Sequence, residues 1–265
     1  MLAVPMYGCA SCANLVPPAA DHEQVLSRTG MEIWSATVDA FALLASGDAA
    51  LWTIVWVSLK VAIAGLLLAA PPALLIAYAI AMHRFVGRRA LVVLAQASLS
   101  FPTVLIGLLL YLLLSRQGPL GGFGLLFTQG GMILGQAVLA LPVIVAFALT
   151  TLERADPRLA ETARVLGAGR IRLLLTVFRE LRFGLMAAVV AGFGRVIAEV
   201  GSALMVGGNI EGVTRTMTTA IALETSKGEF AQGIALGIVL IALALLVNLV
   251  LAWLQGAGNY RREAA

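Results

Sequence analysis

Charged residues are scarce in this sequence, and so are the residues that carry most metal and redox chemistry. Only 12% of the 265 residues are charged, about half the share typical of a soluble domain. There are two histidines and two cysteines, and lysine occurs only at Lys60 and Lys227. A phosphate-binding P-loop needs the pattern G-x-x-x-x-G-K-[ST], and neither lysine stands in one. We therefore expect no ATPase site in this chain, and no cofactor or metal bound by it.

The two cysteines stand close together near the start of the chain, as Cys9 and Cys12. A zinc site would need two further nitrogen or sulfur ligands, and none lies near in sequence, so metal or redox use of this pair is not favoured. Residues 1–30 combine mixed charge with little hydrophobic periodicity. We expect them to be a disordered part of an N-terminal extension and outer, interfacial segment over residues 1–50, and Met31 is a candidate for the real start.

Apolar residues make up 60% of the chain, and the mean hydropathy is +0.96. A bilayer core about 30 Å thick needs about 20 apolar residues in helical form. The sequence therefore predicts an all-α integral membrane protein with about five transmembrane helices. The predicted spans are Ile54–Ala81, Leu91–Leu114, Met132–Leu152, Phe183–Val206 and Ile234–Leu254. The first span is long and carries Pro71 and Pro72, so a kink or a tilt is expected there, and Pro102 and Pro142 are expected to interrupt the next two.

Basic residues are divided unevenly between the two sides of such a bundle. Twelve arginines fall in segments 82–90, 153–182 and 255–265, whereas the opposite side has four basic residues. The positive-inside rule then places the N-terminus outside and the C-terminus in the cytoplasm of an inner (plasma) membrane protein. Arginines in this arrangement are orientation signals, so no nucleic-acid partner is expected. The transmembrane domain is predicted over 51–256, and 257–265 form a cytoplasmic tail.

The cytoplasmic loop 153–182 carries strong local helix signals. Asp156 can cap a first short helix, Pro157 suits its first position, and Gly167 suits its end. A second helix is predicted to begin near Gly169 and to run into the fourth span. A small apolar stripe at helical spacing, flanked by arginines, is formed by Leu159, Ala163 and Leu166.

Within this loop Glu161-Thr162-Ala163, followed after three residues by Gly167, resembles the E-A-A-x-x-x-G signature of permease subunits of binding-protein-dependent ABC importers. The resemblance covers roughly residues 53–254 and implies the type I permease fold, in which the short helix docks on a separate cytoplasmic ATPase subunit that binds ATP and magnesium. It implies that the docking residues are Arg158, Glu161, Thr162, Ala163, Leu166 and Gly167. The alternative is a basic linker without a partner, which the helix signals do not favour.

One position departs from the family pattern. Permeases of this kind often continue with I-x-L-P about ten residues after the glycine, where this chain has Val177-Phe178-Arg179-Glu180. Without the proline, the link to the fourth span is expected to be more continuously helical.

Arg195 and Glu199 stand inside the apolar fourth span. Charged side chains are costly in a bilayer, so both should face the bundle interior or a wet cavity, and their i, i+4 spacing allows them to pair. A structural ion pair and a pathway element both remain open. The predicted outer loop contains Thr214, Arg215 and Thr216, which could contact an oxyanion. A polar loop packed on a partner is the alternative for them.

The segments 195–210 and 214–230 are similar to the tungstate, molybdate and sulfate branch of ABC permeases, most of all to tungstate permeases. Val200 follows Glu199, where the molybdate and sulfate permeases tend to have phenylalanine. The resemblance implies oxyanion import by alternating access, a periplasmic binding protein that selects the anion, and a homodimer in the lipid bilayer. A homodimer also doubles five helices, which are few to enclose a polar pathway.

Two other classes of protein are disfavoured. A secondary transporter would need no ATPase and commonly has internal repeats, which we do not find. An intramembrane enzyme would need a nucleophile with a base or a metal cluster, and the two histidines, His22 and His83, lie too far apart in the topology to build one. In the fifth span, Gly233 and Gly237 predict a face for close helix approach.

Overall fold

The computed structural model describes residues 35–83 and 85–263, with only the backbone described for Pro157 and for 256–263. Every regular element in these residues is a helix. The α-helices are α1 Ser35–Ser46, α2 Ala49–Met82, α3 Arg88–Ala97, α4 Thr103–Leu114, α5 Gln129–Glu153, α6 Pro157–Val165, α7 Arg170–Glu180, α8 Arg182–Ile197, α9 Gly201–Gly207, α10 Met217–Lys227 and α11 Phe230–Glu263. The predictions for residues 1–34 and the placement of Arg84 lie outside the described residues.

Three helices are long and apolar enough to cross a membrane by themselves: α2, α5 and α11. The first has 34 residues, about 51 Å at 1.5 Å per residue, so it exceeds a bilayer core of about 30 Å. Pro71 and Pro72 lie inside α2 and Pro142 inside α5 without ending either helix. The interruption predicted at Pro142 is therefore wrong. Neighbouring helices can satisfy the carbonyl that a proline leaves unpaired.

The second and fourth predicted spans are each two helices joined at a bend. Residues Arg88–Ser100 and Thr103–Leu114 meet at 98°, and α8 and α9 meet at 65°. The first bend lies at Phe101 and Pro102, both in extended conformation, because a proline disfavours helical geometry at the residue before it. The interruption predicted at Pro102 is confirmed. The second bend has no proline, and the sequence analysis did not predict a break within Phe183–Val206.

Helix α5 forms the centre of the bundle, with α2, α8 and α9 packed around it. Glycines mark the closest approaches. A Cβ added to Gly65 on α2 would lie 2.6 Å from Cβ of Gln136, and one added to Gly107 on α4 would lie 2.7 Å from Cα of Ser202. By contrast, nothing in the described chain lies within 4 Å of a Cβ built on Gly237. The close approach predicted at Gly237 is not made with any of the residues that the structure describes.

At the end of the bundle that carries α6, one arginine links the ends of three helices. The Arg88 side chain, at the start of α3, donates Nη2–H to Glu153 Oε1 at the end of α5 (2.7 Å) and Nε–H to the carbonyl of Ile80 on α2 (2.8 Å). Three helix ends are joined in this way directly before the chain enters α6.

Candidate functional site

Helix α6 is defined by hydrogen bonds at both of its ends. The Asp156 carboxylate accepts from the amide of Arg158 at 2.9 Å, with Pro157 in the first turn. At the other end Gly167 has φ +79°, its amide donates to Arg164 O, and the amide of Ala168 donates to Ala163 O. These two bonds and the left-handed glycine make a Schellman motif. The predicted caps of α6 are confirmed.

The two faces of this helix have different environments. Leu159, Ala160 and Ala163 pack against the hydrophobic core of the bundle. Glu161 and Thr162 are exposed on the opposite side, together with Arg158. Leu166 is 81% exposed, because the helix has ended there and its side chain leaves the stripe. Its predicted place in the apolar stripe is therefore wrong, whereas Leu159 and Ala163 do pack inward.

Helix α7 anchors the loop on the bundle. Its Leu173 and Val177 are buried, and the ring of Phe178 packs edge-on against Tyr78 of α2, with centroids 5.9 Å apart. Only Leu181 separates α7 from α8. Its amide donates to the carbonyl of Val177, and its own carbonyl accepts from the amide of Leu185, as in a continuous helix. The nearly continuous helical link predicted from the missing proline is confirmed.

Three large apolar residues of this loop are exposed: Val165 (87% exposed), Leu166, and Ile171 at the start of α7 (74% exposed). We name these three residues the apolar edge. Exposed large apolar residues on a well-capped loop that also carries an exposed glutamate are typical of a protein–protein contact. Sequence reasoning missed Val165 and Ile171, although three large apolar residues on one capped loop were a usable signal.

Arg195 and Glu199 do form an ion pair. Arg195 Nη1 lies 3.0 Å from Glu199 Oε2, and the other carboxylate oxygen accepts from the amide of Ser202 at 3.1 Å. Glu199 lies in the bend between α8 and α9, and its carbonyl accepts from the hydroxyl of Thr218 on α10. The pairing predicted from the spacing is confirmed, and whether it serves packing or passage is a separate question.

The loop between α9 and α10 uses its hydroxyls internally. The Thr214 hydroxyl donates to Gly207 O at 2.6 Å and accepts from the amide of Ile210 at 2.9 Å, while Thr216 forms a capping box with Thr219 at the start of α10. Arg215 is largely buried and pairs with Glu211 at 3.4 Å. The structure thus places Thr214, Arg215 and Thr216 together, and their contact with an anion stays a prediction.

Replacing Thr214 with valine is expected to lower the thermal midpoint of the purified protein in detergent. The change leaves Gly207 O and the Ile210 amide without their partner, a loss of about 1–3 kcal/mol for buried groups. Thr214→Ser should retain the midpoint, and Thr176→Val, at an exposed position on α7, serves as the control. An unchanged midpoint with reduced transport would instead favour direct contact with the substrate.

Comparison with known proteins agrees with this architecture. Residues 73–259 match the family model described as "Binding-protein-dependent transport system inner membrane component". The Tungstate uptake system permease protein TupB of Campylobacter jejuni is 48% identical over 163 residues, which cover 62% of this chain and 68% of that protein. TupB of Peptoclostridium acidaminophilum is 34% identical (82% and 95% covered), and the Molybdenum transport system permease protein ModB of Escherichia coli K12 is 32% identical (79% and 96% covered). The chain belongs to the binding-protein-dependent transport system inner membrane component family, and it is a multi-pass inner membrane protein with the type I ABC permease domain.

Proposed function

We propose that this chain is the permease subunit of an ABC importer that carries an oxyanion, tungstate foremost, into the cytoplasm. One observation carries the proposal: the exposed, doubly capped helix α6, with Glu161 and Gly167 in the positions of the family signature. The relatives at 48% and 34% identity are tungstate uptake permeases, which supports the choice of anion. Molybdate is the alternative, supported by the molybdate permease at 32% identity, and sulfate is less favoured.

The energy comes from a separate subunit. No P-loop pattern occurs in the sequence, so a cytoplasmic ABC ATPase supplies the sites for ATP and magnesium, and this chain binds no cofactor. The ATPase docks on Arg158, Glu161, Thr162 and the apolar edge. This assignment puts loop 153–182 and the C-terminus in the cytoplasm, with the N-terminus outside, in agreement with the distribution of arginines.

Two copies of the permease enclose the pathway, and a periplasmic binding protein delivers the anion to its outer face. ATP binding draws the two ATPase subunits together, and the two α6 helices move with them. The bundle then opens outward and accepts the anion. Hydrolysis separates the ATPase subunits and returns the bundle to its inward-open state. The rigid connection from α6 through α7 to α8 transmits this movement into the membrane.

ATP-dependent uptake is expected only when three proteins are combined in liposomes: this chain, the ATPase subunit encoded beside it, and the adjacent binding protein. Uptake of radiolabelled tungstate, with molybdate and sulfate as competitors, tests both the type of transporter and its preferred anion. Tungstate uptake that resists excess competitor supports the full proposal. Equal competition by molybdate would contradict a preference for tungstate but would still support an ABC importer of oxyanions. Uptake by this chain alone would identify an ATP-independent secondary transporter instead.

A further inference from the structure

The bend between α8 and α9 places non-helical backbone inside an apolar span. Residues Ala198–Val200 separate the two helices, and Arg195 and Glu199 are the charged residues of the segment 183–206. Backbone that leaves helical geometry at membrane depth is tolerated where it is buried in protein or lines a water-filled cavity. Broken helices commonly form the substrate sites of transporters.

Glu199 is held in place on all sides. Its side chain is 3% exposed, and both carboxylate oxygens are occupied, one by Arg195 and one by the Ser202 amide. Its carbonyl accepts from Thr218, and the neighbouring amide of Met217 donates to the buried Ser58 hydroxyl on α2 at 2.7 Å. Glu199 thus joins α8, α9 and α10, and α10 is in turn joined to α2 through Ser58.

The two members of the ion pair differ in exposure. The Arg195 side chain is 38% exposed, although the carboxylate it contacts is buried. A guanidinium has five N–H donors, and the single hydrogen bond that Arg195 makes to Glu199 uses one of them. A charged side chain facing lipid is costly, so the side of the guanidinium that the described chain leaves open should meet water or another polar group.

We propose that Arg195 contacts the oxyanion in the translocation pathway, and that Glu199 is a positioning residue that holds the guanidinium and limits how tightly it binds. The proposal rests on the proposed function. An unpaired arginine in a low-dielectric site would retain a dianion. Because the Glu199 carboxylate lies 3.0 Å away, it largely neutralises the positive charge of Arg195. The remaining N–H groups of the guanidinium can still donate hydrogen bonds to an anion. A transport site has to bind its ion weakly enough to release it, and this pairing provides that.

Uncharged variants of Arg195 and Glu199 distinguish a role of the pair in anion passage from a role in helix packing. In the complete complex with ATPase and binding protein, Arg195→Gln is expected to lower the initial rate of tungstate uptake about tenfold or more, the worth of a charge-assisted hydrogen bond. The double variant Arg195→Gln with Glu199→Gln leaves no unpaired charge and two amides that can still hydrogen-bond. It should assemble normally and remain about tenfold slow because the cation is gone. Recovery of wild-type uptake in the double variant would mean that the pair serves packing only, and would overturn the proposal.

A second experiment measures how accessible position 195 is to a water-soluble reagent. It uses the assembled complex with Cys9 and Cys12 replaced by serine. Arg195→Cys should react with water-soluble methanethiosulfonates, and tungstate should slow the reaction. Attachment of an aminoethyl group restores a cation and should recover uptake, whereas a sulfonatoethyl group should not. Ile197→Cys, at a buried position, is the unreactive control. An unreactive Arg195→Cys, or equal recovery with either charge, would refute the assignment. If the wild-type complex imports none of the three oxyanions, the proposed function fails; if it imports and these arms fail, only this inference falls.

Discussion

Replacing Gly167 with leucine is expected to reduce ATP-dependent transport about five- to thirtyfold while the membrane bundle stays folded. Gly167 has φ +79°, and a residue with a Cβ pays about 1–2 kcal/mol in this left-handed region. Nothing lies within 4 Å of a Cβ built there, so the effect comes from the backbone and not from a clash. The end of α6 would change its conformation, and Leu166 with the rest of the apolar edge would move away from the ATPase.

Two matched variants separate backbone conformation from bulk. Gly169 lies two residues further along, also with nothing within 4 Å of a Cβ, but its φ is −67°. Gly169→Leu should therefore transport normally. Gly167→Asn should lose less transport activity than Gly167→Leu, because asparagine tolerates the left-handed region of backbone conformation. Uptake and co-purification of the ATPase are the two measurements, and normal values for Gly167→Leu would argue against docking through α6.

Replacing Gly65 with leucine is expected to destabilise the bundle strongly or to prevent its assembly. A Cβ at this position would lie 2.6 Å from Gln136 Cβ and 3.1 Å from the carbonyl oxygen of Ile133. The carbonyl belongs to the backbone of α5, so the two helices would have to separate along their main contact. Overpacking a core costs about 1–3 kcal/mol, and the backbone contact places Gly65 at the upper end of that range.

The thermal midpoint of the detergent-solubilised protein measures this effect, and Gly65→Ala should give an intermediate value. The matched control is Gly237→Leu on α11, where nothing in the described chain lies within 4 Å. Equal midpoints for the two leucine variants would show that α2 and α5 do not pack as closely as described. A large loss at Gly237 alone would point to a contact with a second copy of the chain.

The parts of the site that local signals encode were predictable. Asp156, Pro157 and Gly167 mark the ends of α6, and all act within one helical turn of the residues they cap. The pairing of Arg195 with Glu199 also follows from spacing on one helix, since the carboxylate is four residues further on. The bend at Pro102 belongs in the same group, because a proline restricts the residue before it.

Other features depend on distant residues and had no local signal. The bend after Ile197 is accompanied by hydrogen bonds from Ser202 and Thr218 to Glu199, and nothing in residues 183–206 alone announces it. Pro142 stands inside α5 without ending that helix, and Pro71 and Pro72 do the same in α2. Glycine spacing pointed to Gly233 and Gly237, yet in the described residues the close approaches include Gly65, Gly107 and Gly184.

Composition and local pattern by themselves determined that this chain is a helical membrane protein, where its capped loop begins and ends, and which family signature the loop carries. These properties depend on hydrophobic length and on backbone geometry within a few residues, which a sequence states directly. Tertiary structure decided which glycines separate packed helices, that the hydroxyl of Thr214 is used internally, and that Arg195 is open on one side while Glu199 is buried. Those properties depend on which helices meet, and that is set by packing between residues far apart in the chain.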